Sequence, residues 1–181
     1  MKFFCFYLGL LCLGLVRIAV AAEGEGPGEF VIVINELFAT SEAEHVDDDG
    51  EAADWVEVTN LGAEAVSLAG WHVTDDSEVQ AKWTFPETTL AAGEFLVVYA
   101  TGKDRVDPSM PLHTNFKLSD SGETLSLAMP DGKAGHLLEY PKQREGMSYG
   151  LSDAGDYRFF PAPTLGAVNG DDGVCYVADT K

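Results

Sequence analysis

The stretch VINELFATSEAEHVDDDGEAADWVEVTN, residues 33–60, decides how the rest of the chain can fold. The segment Phe30–Ala39, which overlaps its start, is rich in β-branched and other apolar side chains, as β-strands are. The last part of the stretch 33–60, Asp54–Asn60, alternates polar and apolar side chains, which is the period of a strand with one buried face. We therefore predict two strands joined by a long acidic loop, residues 40–53.

The remainder of the chain continues as strand-length segments separated by turn signals. No window shows sustained helical periodicity, and the sequence contains neither a tandem repeat nor a heptad pattern. The most apolar segment, Glu94–Thr101, is predicted to be a central strand, and Ser119–Gly122 a hairpin-like turn. This organisation predicts an all-β sandwich or barrel over residues 30–169. The other predicted strands are Val66–Leu68, Trp71–Val73, Lys82–Pro86, Leu112–Leu118, Glu123–Met129, His136–Tyr140, Met147–Tyr149 and Tyr157–Phe160.

The three tryptophans are predicted to be core side chains rather than platforms that stack on sugars. Trp55, Trp71 and Trp83 each lie in an alternating strand pattern, where a buried ring is the ordinary outcome. We expect Trp55 and Leu96 to be buried on strands that face one another across the sandwich.

The first residues have the features of a secretory signal peptide. Lys2 gives a positive start, residues 3–15 are almost wholly apolar, and residues 18–22 end in small side chains that suit cleavage. Because the apolar run is short for a membrane span, we predict that Met1–Ala22 is removed, with an uncleaved anchor as the alternative. The protein would then be secreted or held at the cell surface, with no stable membrane span. Residues 23–29, which are polar and rich in glycine, are predicted to be a flexible linker.

The chain is strongly acidic, with 11 basic and 30 acidic side chains and a formal charge of −19. The predicted cleavage removes Lys2 and Arg17 and no acid, which leaves 9 basic and 30 acidic side chains and a charge of −21. Such a charge repels nucleic acid phosphates and anionic lipid head groups, so we expect no nucleic acid partner. Cys175 would be the one cysteine left, which excludes a disulfide within the chain but permits one with another chain.

Several short motifs, taken together and in order, resemble the lamin-tail domain in its bacterial, secreted form. They lie between about Ile32 and Asn169 and read INELFA, DGEAADWVEVTN, VSLAGWHVTDD, KWTFP, LAAGEFLVVYATGKD, LHTNFKLSDSGETLSLAMPDG, MSYG and PTLGAVN. The resemblance implies an immunoglobulin-like β-sandwich. The residues after it, 170–181, begin as a new strand would, and we predict that they are the start of a downstream segment or a tail. The DNA association of nuclear lamin tails is not expected here, because the acidic charge opposes it.

The resemblance also implies a function, because bacterial members look like extracellular modules of large surface proteins. We expect a secreted, non-enzymatic module for adhesion or structural scaffolding, with a protein or extracellular-matrix partner at the cell surface. One alternative is an accessory targeting domain of a larger exported hydrolase or nuclease, whose catalytic part lies beyond the chain. A third interpretation is a calcium-stiffened spacer without a partner of its own.

No catalytic residues are predicted. GMSYG, residues 146–150, matches the G-x-S-x-G pattern of a nucleophilic serine, but a turn and a strand follow Ser148 where that pattern needs a helix. The four histidines show no metal-ligand spacing, and isolated histidines lack the partners that catalysis needs. We expect each of them to serve the structure. They are His45, His72, His113 and His136.

The acidic loop holds the sharpest candidate site. Asp47, Asp49, Glu51 and Asp54 place hard oxygen ligands around a glycine turn, an arrangement that suits Ca²⁺. The EF-hand pattern does not fit, because with Gly50 at its glycine position the first ligand would be a histidine and the twelfth a valine. The alternative is a solvated acidic loop without a metal. No other cofactor is predicted.

Overall fold

A computed structural model describes residues 31–40 and 45–176, and the regular secondary structure within them is all β. In these two ranges no helix is long and apolar enough to cross a membrane. The predicted signal peptide, the predicted linker and the last residues of the predicted tail lie outside the described residues. The strands are β1 Ile32–Phe38, β2 Asp54–Asn60, β3 Val66–Ser67, β4 His72–Thr74, β5 Trp83–Thr84, β6 Thr89–Leu90, β7 Phe95–Ala100, β8 Leu112–His113, β9 Glu123–Ala128, β10 Ala134–Tyr140, β11 Ser148–Leu151 and β12 Tyr157–Phe160.

Six strands form the larger sheet, in the order β12-β11-β1-β2-β7-β8. Neighbouring strands are antiparallel except β7 and β8, which are parallel. β1 and β2 occupy the middle, and every residue of both strands is buried. Their register shifts between Ile34 and Glu36, which marks a β-bulge at Asn35. Because of this extra residue, Glu36 lies opposite Glu57 on the next strand.

The second sheet, in the order β10-β9-β4-β5, completes the sandwich, and β3 and β6 form a separate pair. The core lies between the sheets, where Ile34 and Val56 of the larger sheet pack with Val73 and Leu125 of the smaller one. Trp83 is part of this core, with its ring edge-on to Phe85 at 4.9 Å between centroids. The predicted all-β, immunoglobulin-like sandwich is thus confirmed.

The three tryptophans are buried, as predicted, but Trp55 and Leu96 do not face one another across the sandwich. β2 and β7 are neighbours in one sheet, and Leu96 lies opposite Val58. Trp55 points to the outer face of that sheet, where its ring stacks on Phe38 at 6.1 Å, whereas Leu96 is half-buried against the core. The prediction was wrong because alternation along a strand does not say which sheet the strand joins.

Two further predictions about the strands are wrong. β7 is not central, since it lies next to the edge strand β8 and the middle of the sheet is taken by β1 and β2. Ser119–Gly122 is a turn but not a hairpin, because β8 joins the larger sheet and β9 joins the smaller one. This turn instead carries the chain from one sheet to the other.

Candidate functional site

The acidic loop between β1 and β2 is held in a compact turn. Val46 forms an isolated bridge across the loop, and the backbone amide of Gly50 donates to the carbonyl oxygen of Asp47 at 3.0 Å. Gly50 has a φ of 79°, a left-handed conformation that favours glycine. Asp47 Oδ1 accepts from the amides of Asp49 at 3.0 Å and Glu51 at 3.1 Å. These bonds bring the carboxylates of the three acids close together.

The ammonium group of Lys103 lies at the centre of these three acids. Its Nζ is 2.5 Å from Asp47 Oδ2, 2.6 Å from Asp49 Oδ2 and 2.9 Å from Glu51 Oε2. The Asp47 side chain is fully buried, so the lysine neutralises a charge that has been removed from water. The structure thus brings together three of the four predicted calcium ligands, and it places a lysine where a bound cation would be expected.

Asp54, the fourth predicted ligand, is not one of the acids around Lys103. It begins β2 and is buried. Among the described residues, two groups of side chains lie close enough together to share an ion. One is the three acids around Lys103, and the other is Asp47, Asp48 and His113. Asp54 does line the same small cavity as Asp47 and Lys103, with a volume of about 60 Å³.

The ion pairs shift the pKa values of these groups. Hydrogen bonds from Lys103 and Arg105 lower the pKa of Asp49 to about 2. Burial acts to raise the pKa of Asp47, but bonds from Lys103 and from two backbone amides outweigh it and hold that pKa below its ordinary value. The bonds to Asp47 and Asp49 raise the pKa of Lys103. Both aspartates and the lysine therefore stay charged throughout the neutral pH range.

Replacing Lys103 by Gln tests the calcium hypothesis. Because the buried Asp47 loses its partner, we expect the thermal unfolding midpoint of the variant in chelator to lie below that of the wild type. If the loop binds Ca²⁺, millimolar Ca²⁺ should raise the midpoint of the variant more than that of the wild type, because no lysine has to be displaced. Lys117→Gln, a change at an exposed lysine of the same cavity, is the control. Midpoints unmoved by Ca²⁺ in all of these proteins would rule the metal out.

A second group of side chains connects the acidic loop to the sandwich. His113 Nε2 is 2.8 Å from Asp48 Oδ1, and His113 Nδ1 is 2.8 Å from Thr101 Oγ1. Arg105 Nη1 donates to the other carboxylate oxygen of Asp48 at 3.2 Å. The sequence contains no signal for this group, because 65 positions separate Asp48 from His113. A carboxylate, an imidazole and a hydroxyl in this order resemble an acid–base relay.

The burial of this group indicates a structural role. His113 is fully buried, and its ring packs against Tyr99 at 5.2 Å between centroids. The Thr101 hydroxyl also accepts from the backbone amide of Lys103 at 3.3 Å. A general base has to reach the proton that it removes from a substrate, and a fully buried imidazole does not. The three side chains therefore fasten the acidic loop to β8 and to the loop after β7.

Ser148, the serine of GMSYG, is fully buried within β11. Its hydroxyl donates to Glu36 Oε1 at 2.5 Å. A nucleophile elbow instead places an exposed serine on a strand-to-helix turn. Ser148 instead lies on a strand.

Glu36 and Glu57 form a buried pair of carboxyl groups on the outer face of the larger sheet. They lie opposite one another on β1 and β2, and neither residue is accessible to water. Burial raises the pKa of Glu36 above its ordinary value. Burial also raises the pKa of Glu57 to about 7, and the charge of Glu36 contributes to this shift. The prediction of sites missed this pair, although two glutamates inside largely apolar strands were a signal for it.

Residues 161–170, which we call the strap, cover this pair. The backbone amide of Thr164 donates to Glu36 Oε2 at 3.1 Å, and that of Gly166 donates to Glu57 Oε2 at 2.5 Å. These contacts explain why the two carboxyl groups are buried although they lie on the outer face of the sandwich.

A family model of the lamin tail domain matches residues 27–142 of the chain. The match covers more than half of the 181 residues and includes the acidic loop and both buried glutamates. It ends before β11 and β12, which continue the larger sheet beside β1. No curated protein matches the chain. The lamin tail domain is a non-catalytic, immunoglobulin-like domain, and this chain belongs to the lamin tail domain family.

Proposed function

We propose that the protein is a secreted, non-catalytic module for adhesion or structural scaffolding, which presents loops to a protein or extracellular-matrix partner. The observation that supports this best is the ion-paired surface formed by residues 45–52 and 101–107, which we call the loop surface. It lies where β1 and β7 end and β2 begins. Lys103 and Arg105 join its two loops through several carboxylates. Loops fixed in advance lose less conformational entropy when a partner binds.

The absence of catalysis is part of the proposal, because the side chains best suited to chemistry hold parts of the fold together. Ser148 donates to Glu36, and His113 connects Asp48 with Thr101. Ser148 and His113 are both fully buried. A catalytic group has to reach its substrate, and these two groups lie beneath other parts of the chain.

The charge of the chain supports a partner other than nucleic acid. A formal charge of −19 repels phosphate backbones and favours partners with neutral or basic surfaces. The acids of the loop surface that are partly exposed, such as Asp49 and Glu51, would contribute to this preference.

Export is tested by expressing the full chain in a secreting bacterial host and measuring the mass of the product. We expect the protein in the medium or at the cell surface, with a new N-terminus at Ala22 or Glu23, because small residues at the end of the apolar run suit signal peptidase. A chain that lacks Met1–Ala22 should stay inside the cell. Recovery of the full chain from the cytoplasm with Met1 in place would contradict this part of the proposal.

Adhesion is tested with beads that carry the mature domain, applied to surfaces coated with basic matrix glycoproteins or with duplex DNA. We expect retention on the protein coating and none on the DNA. The double variant Asp48→Asn, Asp49→Asn should release the beads, because it changes the loop surface. The control, Asp120→Asn, Asp153→Asn, removes the same formal charge at exposed positions elsewhere. Equal release by both double variants, or retention on DNA, would contradict a role for the loop surface.

A further inference from the structure

The strap is fixed to the larger sheet by polar contacts. Asn169 Nδ2 donates to the carbonyl oxygens of Asn35 at 3.2 Å and Leu151 at 3.0 Å. Two apolar side chains of the strap face solvent, since Leu165 is 42% exposed and Val168 is 67% exposed. Docking of the strap therefore depends on the polar groups beneath it, among which are the two buried glutamates.

Hydrogen bonds from Ser148 and from the strap run towards Glu36. Its Oε1 accepts from the Ser148 hydroxyl at 2.5 Å, and its Oε2 accepts from the backbone amide of Thr164 at 3.1 Å. The Thr164 hydroxyl lies 3.1 Å from the same Oε2 and also contacts Asn169 Oδ1. Both oxygens of Glu36 therefore act as acceptors.

Glu57 is arranged in the same way. Its Oε1 accepts from Asn35 Nδ2 at 2.8 Å and its Oε2 accepts from the amide of Gly166. Two charges on adjacent buried positions would repel one another in a site that water does not reach. One proton shared by the two carboxyl groups removes this repulsion.

Within the described part of the chain, no cation forms an ion pair with either glutamate. Arg158 of β12 lies opposite Gly150, which in turn lies opposite Glu36, so these residues form one row across the strands. The guanidinium of Arg158, however, pairs with Asp156 at 3.0 Å. On the other side of the row, β7 contributes Val97, and the strap has no ionisable side chain. Titration of the pair is thus governed by burial, which raises the pKa of Glu36 and raises that of Glu57 to about 7.

We propose that the strap is a pH-sensitive latch, docked while the pair of glutamates shares one proton and released when the pair loses that proton. Loss of the proton leaves two charges side by side beneath the strap. Release would expose the outer face of β1 and β2 around the pair. The latch is a property of the fold and is independent of the proposed adhesion.

Hydrogen exchange at the amides of Thr164 and Gly166 tests the latch, because each of them donates to one carboxyl group. After correction for intrinsic exchange, we expect protection of both amides to fall about tenfold between about pH 6 and about pH 8. This factor follows when the shared proton is lost with the pKa of Glu57, which is 4.5 with the strap released and about 7 with the strap docked. Amides of β9, in the other sheet, should keep their protection over the same range.

Glu36→Gln is the matched variant, because the pair then holds one carboxyl group and never carries two charges. We expect its strap amides to be as protected at about pH 8 as at about pH 6. Gly150→Ala provides the reference for a released strap, since a methyl group at this position would collide with Asn169 Nδ2.

Equal protection of the wild-type strap at both pH values, after the same correction, would overturn the proposal, whether or not Glu36→Gln folds. A folded Glu36→Gln variant whose strap amides are unprotected already at about pH 6 would also overturn it, because a pair that cannot carry two charges should keep the strap docked.

Discussion

Replacing Trp55 by Ala should lower the free energy of unfolding by about 3–5 kcal/mol, the range for emptying a large aromatic site. Trp55 is 1% exposed, and its ring stacks on Phe38 on the outer face of the larger sheet. The ring of Phe38 also contacts that of His45 in the acidic loop, at 4.3 Å between ring centroids. The change therefore removes both buried apolar area and support for the loop. Denaturant unfolding followed by circular dichroism gives the measurement.

Two further variants serve as controls for the stability loss in Trp55→Ala. Trp55→Phe keeps an aromatic ring and should cost less, because the indole N–H of Trp55 has no hydrogen-bond partner in the described structure. Leu61→Ala shortens a side chain that is 60% exposed and should change stability by less than about 0.5 kcal/mol. A loss below about 1 kcal/mol in Trp55→Ala would show that the outer face of the sheet is not packed in this way.

The free energy of unfolding of the wild type, minus that of Glu57→Gln, should fall by about 3 kcal/mol between about pH 4.5 and about pH 7.5. Folding raises the pKa of Glu57 from 4.5 to about 7, so the folded state holds the proton more tightly than the unfolded state. A carboxyl group of this kind contributes stability below its unfolded pKa and loses it as the pH rises through its folded pKa, at about 1.4 kcal/mol per pH unit. Gln does not titrate, so the variant lacks this loss.

The difference between the two proteins is the relevant quantity, because His136 acts in the opposite direction. Burial lowers the pKa of His136 to about 4, so its contribution to stability is present above its ordinary pKa of 6.5 and is lost as the pH falls towards 4. His136 is present in both proteins, and its effect cancels in the difference. Urea unfolding at a series of pH values supplies the comparison. A difference that is constant with pH would show that Glu57 does not titrate as a buried carboxyl group.

Local patterns in the sequence predict individual strands well and their assembly poorly. β2 and β12 have the predicted bounds, Asp54–Asn60 and Tyr157–Phe160, because polar alternation and flanking turn residues are local signals. The assignment of strands to sheets depends on contacts between distant parts of the chain. The parallel pairing of β7 with β8, and the position of β9 in the other sheet, could not be predicted from such patterns.

The candidate sites show the same division between local and distant partners. The sequence places Asp47, Asp49 and Glu51 in one short loop, and the structure keeps them together. Lys103, which joins their carboxylates, lies 56 positions from Asp47. The strap residue that donates to Glu36 lies 128 positions away from it. Such partners follow from the topology of the whole sandwich, although a glutamate in an apolar strand does indicate that donors are needed.

The central claim is that the side chains suited to catalysis serve the fold, and the variant Ser148→Ala tests it most directly. Turnover of ester, peptide and nucleic acid substrates and the free energy of unfolding are measured on the same preparations of wild type and variant. We predict no turnover above the buffer rate in either protein, and a loss of about 1–3 kcal/mol of stability in the variant, because the buried Glu36 loses a donor. Turnover by the wild type that disappears in Ser148→Ala, with stability unchanged, would contradict the claim.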